Sequence, residues 1–146
     1  MPDPATILVI DDDDDYRAST RALLEFEGYG VVEARNGQEG LAAARERRPD
    51  LVVLDVMMDS INEGYSVNQA LKHLPEFREM GPIPVLMASS IELDPSNLFD
   101  WVGDAGRISP DVYMTKPLDI RRFLDNVRNL LDAQSSAPGD EQRKLA

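Results

Sequence analysis

The sequence predicts an α/β domain built on a parallel sheet. Runs that are apolar throughout, ILVI at 7–10, LVVL at 51–54, PVLMA at 84–88 and VYMT at 112–115, lack the alternation of a half-solvated strand. They read as strands buried on both faces. Segments of helical period separate them, and strands alternating with helices give a parallel sheet with right-handed crossovers. A polar residue follows or closes each run: Asp11 and Asp12, Asp55, Ser89, and Lys116. The carboxyl ends of parallel strands share one rim, where ligand sites form. Three carboxylates, a hydroxyl and an ammonium are therefore expected to converge there.

Taken in order, 7–10 is the first strand. Asp14 or Asp15 can cap the helix after it, since carboxylates suit the positive end of the helix dipole. Ala18, Ala22, Leu23 and Phe26 recur at helical spacing and predict its apolar face, and Gly28 and Gly30 end it. A short strand at 31–34 follows. Asn36-Gly37 is a turn signal ahead of a helix at 38–47 with Leu41 and Ala44 inward. Pro49-Asp50 breaks the chain before the strand at 51–54. MMDSINEG reads as a loop, 65–73 as a helix, and 77–80 as one more turn beyond Pro75. After the strand at 85–88, Asp94-Pro95 is a cap and first-turn pair, and Leu98, Trp101 and Val102 predict a short helix. The strand at 112–115 leads into an amphipathic helix at 118–131, with Phe123, Val127, Leu130 and Leu131 inward. Residues 1–132 are expected to form one domain, and 133–146 a disordered polar tail lacking periodicity.

The bulk composition narrows the function classes. The chain has 146 residues, a formal net charge of −12 and no cysteine. The charge argues against nucleic acid, whose phosphates need a basic surface, and against anionic membranes. The absence of cysteine excludes disulfides, thiolate metal sites and thiol catalysis. The N-terminus has no basic region before an apolar stretch, and no run approaches a membrane span. A cytoplasmic protein is expected.

The converging residues suggest a chemistry. Carboxylates massed together call for a hard cation. A lysine and a hydroxyl facing that cation call for a phosphoryl group, with an aspartate to receive it.

ILVIDDD, LVVLDVMM, IPVLMASS and VYMTKP, in this order and spacing, resemble the receiver domain of bacterial two-component response regulators. The resemblance runs from about residue 7 to 131. It implies a flavodoxin-like, doubly wound sheet of five parallel strands in the order 2-1-3-4-5, flanked by five helices. It implies that Asp55 is the phosphoacceptor. Asp12 would bind Mg²⁺ directly, Asp11 directly or through water, with Asp55 and the Met57 backbone carbonyl completing the protein ligands. Mg²⁺ takes octahedral oxygens at about 2.0–2.1 Å and keeps several waters. Ser89 would donate to the phosphoryl group, and Lys116, aimed by a cis peptide at Pro117, would meet it with a point charge. Ser89 and Tyr113 would form the switch. Partners would be a sensor histidine kinase or phosphotransfer protein and a downstream protein target, with no nucleic acid and no membrane. The chemistry would be limited to self-phosphorylation and autodephosphorylation.

Some residues depart from the family pattern or carry no role. Asp59 stands where most receivers have proline, the loop to Gly64 is about one residue longer, and the segment from Ser89 to Lys116 is longer by several. Asp14 and Asp15 read as a solvated loop, and Asp13 as an acid outside the metal shell. His73, the only histidine, reads as a helix surface residue, and Trp101 as packing or partner surface. A haloacid-dehalogenase-like phosphohydrolase also uses an aspartate after a strand, but needs a second Asp where this chain has Met57. A receiver-fold scaffold that never takes phosphate would not need the full set of Asp11, Asp12, Asp55, Ser89 and Lys116.

Overall fold

Strands that are apolar throughout need cover on both faces, and the fold supplies it with helices. The computed structural model describes residues 4–55, 61–79, 83–89, 112–115 and 119–135. Among these residues five strands, β1 (Thr6–Ile10), β2 (Gly30–Ala34), β3 (Leu51–Asp55), β4 (Val85–Ser89) and β5 (Val112–Thr115), form one sheet in the order β2-β1-β3-β4-β5. Every neighbouring pair is parallel. The helices among the described residues are α1 (Asp14–Phe26), α2 (Gly37–Arg47), α3 (Ile61–His73), α4 (Pro75–Glu79) and α5 (Ile120–Ser135). The flavodoxin-like sheet order is the expected one. The helix expected near 95–102 lies outside the described residues.

The pleat sorts the core into two layers. Leu8, Ile10, Val52, Leu54, Val85 and Met87 face Ala44 of α2, Val67 and Leu71 of α3 and Phe77 of α4. The alternate residues, Ile7, Val9, Leu51, Val53 and Leu86, face Leu24 of α1 and Phe123 and Val127 of α5. Full burial of each large side chain is worth about 1.5–3 kcal/mol.

Local chemistry sets the helix ends, and here several expectations change. The cap of α1 is Asp13, whose side chain accepts from the Tyr16 N–H at 3.0 Å, so Asp14 and Asp15 occupy the first turn. The buried residues of α1 are Thr20 and Leu24, not Ala18, Ala22 and Phe26. Thr20 can turn inward because its hydroxyl donates to the Tyr16 carbonyl at 2.9 Å. Gly28, at φ 95°, ends the helix with the paired reverse bonds Gly28 N–H to Glu25 and Tyr29 N–H to Leu24. Asn36 is a helix cap rather than a turn residue, accepting from the Glu39 N–H at 2.9 Å.

Helix α3 begins at Ile61, inside the stretch expected to be loop. Helix α5 runs to Ser135, three residues into the stretch expected to be tail. Asp119 caps it, accepting from the Arg122 N–H at 3.1 Å. The apolar period stops near Leu131, but nothing in Asp132 to Ser135 breaks a helix already anchored by Phe123 and Val127.

Candidate functional site

The parallel register builds the site. Ile10 of β1 pairs with Leu54 of β3, so the residues just past them, Asp11 and Asp55, come side by side at the rim. Asp55 in turn pairs with Ala88 of β4, and Ser89 of β4 pairs with Thr115 of β5. The main chains carrying Asp11, Asp55 and Ser89 therefore reach the same edge, and β5 ends there one residue before Lys116.

Asp11, Asp12 and Asp55 each place a carboxylate oxygen so that these atoms all lie within 4.8 Å of one another. Asp11 and Asp55 are buried, at 3% and 5% exposure, while Asp12 is exposed. Two of the three thus sit in a poorly hydrated floor, and the third closes the cluster from the solvent side. Like charges this close repel, and a hard divalent cation with oxygen preference relieves that repulsion. The donor set fits Mg²⁺.

Asp11 is held at every polar group of its main chain and at its side chain. Its N–H donates to the Ala34 carbonyl at 3.1 Å. Its Oδ1 accepts from the Asp13 N–H at 2.9 Å. Its carbonyl accepts from Arg17 Nη1 at 2.7 Å. Sequence reasoning missed Arg17. The available signal was a cation one turn into the helix that follows the acidic loop. Burial opposes the charge on Arg17, but hydrogen bonds to Asp14 and Glu33 outweigh it and raise the pKa.

Met57, Asp59, Lys116 and Pro117 lie outside the described residues, as do Ile91 and Trp101. Of Ser89 and Tyr113 the structure describes the backbone only. Tyr113 sits on β5 opposite Met87 of β4.

The model of the response regulator receiver domain family matches residues 7–128. The chain belongs to that family. It is 30% identical over 131 residues to the polar-differentiation response regulator DivK of Brucella anthropi, covering 88% of this chain and 97% of DivK. It is 32% identical over 127 residues to protein PilH of Pseudomonas aeruginosa, covering 87% of this chain and 98% of PilH. Among solved structures it is similar to a CheY-like receiver domain protein of Methanospirillum hungatei, with a TM-score of 0.74 and 27% identity over 91% of this chain and 98% of that one. It is also similar to the receiver domain of a signal transduction histidine kinase of Syntrophus aciditrophicus, at TM-score 0.73 and 29% identity over 88% and 91% of the two chains. The receiver thus has the fold and family of a phosphoacceptor module of two-component signalling. No helix among its described residues is long and apolar enough to cross a membrane.

Proposed function

We propose that this receiver takes a phosphoryl group onto Asp55 in the presence of Mg²⁺ and passes the signal on by protein contact. The observation that carries the reading is the convergence of Asp11, Asp12 and Asp55 oxygens within 4.8 Å at the strand ends. The donor is a phosphohistidine on a sensor kinase or phosphotransfer protein, met in the cytoplasm. An Asp55 oxygen attacks phosphorus as the N–P bond breaks, and the departing imidazole keeps the electron pair and takes a proton. Bound Mg²⁺ supplies charge neutralisation for the phosphoryl oxygens.

The chain's own residues do the rest. Asp11 and Asp12, with the Met57 carbonyl, are the other ligands of the cation. Lys116 and Ser89 meet the phosphoryl oxygens once the bond has formed, and Tyr113 responds to the movement of Ser89. The chemistry is confined to gaining and losing this one group. The domain spans residues 1–132, and 133–146 serve as a tail beyond it, save for the last turn of α5.

An apolar groove of about 500 Å³ lies between α1 and the start of α5, lined by Leu23, Phe26, Ile120 and Phe123. Phe26 is 87% exposed and Ile120 59%. Exposed apolar residues grouped in this way mark interaction surfaces. Ile120 opens α5 just past the rim while Leu23 and Phe26 lie in the last turn of α1, so the rim end of this groove is the face we assign to the phosphodonor protein. A dehalogenase-like hydrolase gains no support from the family match.

The test is incubation of the protein with Mg²⁺ and acetyl phosphate, followed by intact mass. One added phosphate is expected for the wild type and none for Asp55→Asn. Equal labelling of that variant would overturn the assignment.

A further inference from the structure

Arg17 is 11% exposed on α1, and its guanidinium serves three acceptors. Nη1 donates to the main-chain carbonyl of Asp11 at 2.7 Å, Nε to Glu33 Oε1 at 3.0 Å, and Nη2 to Asp14 Oδ1 at 2.6 Å. Glu33 lies on β2 and is also held by Arg21. The planar fork presents its donors in fixed directions, so these bonds tie the acidic loop, α1 and β2 at one point. The strand pairing of β1 ends at Ile10. Beyond it, the Asp11 carbonyl is taken by Arg17.

We propose that Arg17 is a positioning residue for the cation site. By fixing the Asp11 main chain it fixes the directions in which the Asp11 and Asp12 carboxylates leave it, and Glu33 holds the fork in place. This rests on the reading of the acidic cluster given above. Charge alone points the other way. Arg17 is a cation near a site for a cation, and its removal leaves Glu33 and Asp14 as extra negative charge, so Coulomb attraction would rise. Positioning predicts weaker Mg²⁺ binding on removal; electrostatics predicts tighter.

The experiment is Mg²⁺ titration of the full chain by calorimetry, with acetyl phosphate labelling and thermal unfolding recorded alongside. Arg17→Ala should weaken Mg²⁺ about tenfold, the low end for groups that support metal ligands, because it acts on the main chain of a ligand rather than on its carboxylate. Arg17→Lys keeps the charge but offers a single ammonium for three acceptors, so it should bind Mg²⁺ less tightly than wild type. Arg21→Ala removes the other partner of Glu33 without touching Asp11 and should lower Mg²⁺ affinity far less than Arg17→Ala does. Arg17→Ala binding as well as or tighter than wild type would overturn the proposal, as would an equal loss in Arg21→Ala. If Arg17→Ala does not fold, the comparison of Arg17→Lys with Arg21→Ala decides: wild-type affinity in Arg17→Lys overturns it. A wild type that neither binds Mg²⁺ nor takes phosphate refutes the reading of the cluster itself. A wild type that does both, with Arg17 variants that match it, refutes the role of Arg17 alone.

Discussion

Gly40 of α2 lies so close to Ile10 of β1 that a β-carbon on it would stand 2.4 Å from Ile10 Cδ1 and 2.9 Å from Cγ1. Ile10 is buried and immediately precedes Asp11, so the fit of helix to strand reaches the rim that carries the carboxylate cluster directly. Gly40→Ala should destabilise the protein. Overpacking a filled core costs about 1–3 kcal/mol, against a gain of about 1 kcal/mol from better helix propensity. Urea unfolding should show a net loss, and a stabilised variant would show that Ile10 can yield freely.

The carboxylate cluster should cost stability when no cation is bound. Asp12→Asn is expected to melt higher than wild type in chelator, because it relieves repulsion with Asp11 and Asp55. Added Mg²⁺ should reverse the order. At a hundred times its dissociation constant a ligand contributes about 2.7 kcal/mol to the native state, and the variant should gain less than that. Equal gains in the two proteins would place the cation elsewhere.

The Glu33 network should appear in the acid limb of the stability curve. The hydrogen bond from Arg21 holds the Glu33 carboxyl below its ordinary value of 4.5, with burial opposing and Arg17 reinforcing. A carboxyl whose pKa is lower in the folded state stabilises fully above its unfolded value, and that contribution is lost as pH falls through 4.5 toward the folded value. Wild type should therefore lead Glu33→Gln at neutral pH, and the gap should close on acidification below that point. A gap that widens on acidification would contradict the shift.

The phosphorylated state should be long-lived. The family resemblance implies that Met57 and Ile91 would flank the path of the attacking water, and neither side-chain type can orient one. Hydrolysis needs a water in line with the leaving oxygen. Loss of polar positioning groups corresponds to about tenfold in rate, or about 1.4 kcal/mol of barrier. Met57→Asn and Ile91→Glu should each speed the loss of phosphate in Mg²⁺, measured by intact mass over time. Decay within seconds in wild type, or no acceleration in either variant, would remove the shielding argument.

The strands were legible in the sequence because the sheet buries both faces, which leaves apolar runs such as LVVL with no other explanation. Their order needed the family resemblance, since pattern alone does not rank strands in space. Asp11, Asp12 and Asp55 were legible as a cluster because parallel strands end at one rim. The face of α1 was not. Helical spacing marked Ala18, Ala22 and Phe26, while burial of Thr20 depends on a hydroxyl bond to Tyr16 that no hydrophobicity pattern records. Arg17 was hidden for a related reason: besides Asp14 on its own helix, its acceptors are the Asp11 main-chain carbonyl and Glu33 on a separate strand, and only the fold brings these to the guanidinium.

Strand β3 is buried at all five positions and is flanked by β1 and β4. Its inner amides, at Val52, Val53 and Leu54, can meet solvent protons only when the whole sheet comes apart, so their deuterium uptake tracks global opening. Asp55, at the end of that strand, therefore stands on a fixed platform. Substitutions that touch only the chemistry will leave the uptake of these amides as it was, and those that loosen the fold will quicken it. The strand carries its own clock for telling the two kinds of damage apart.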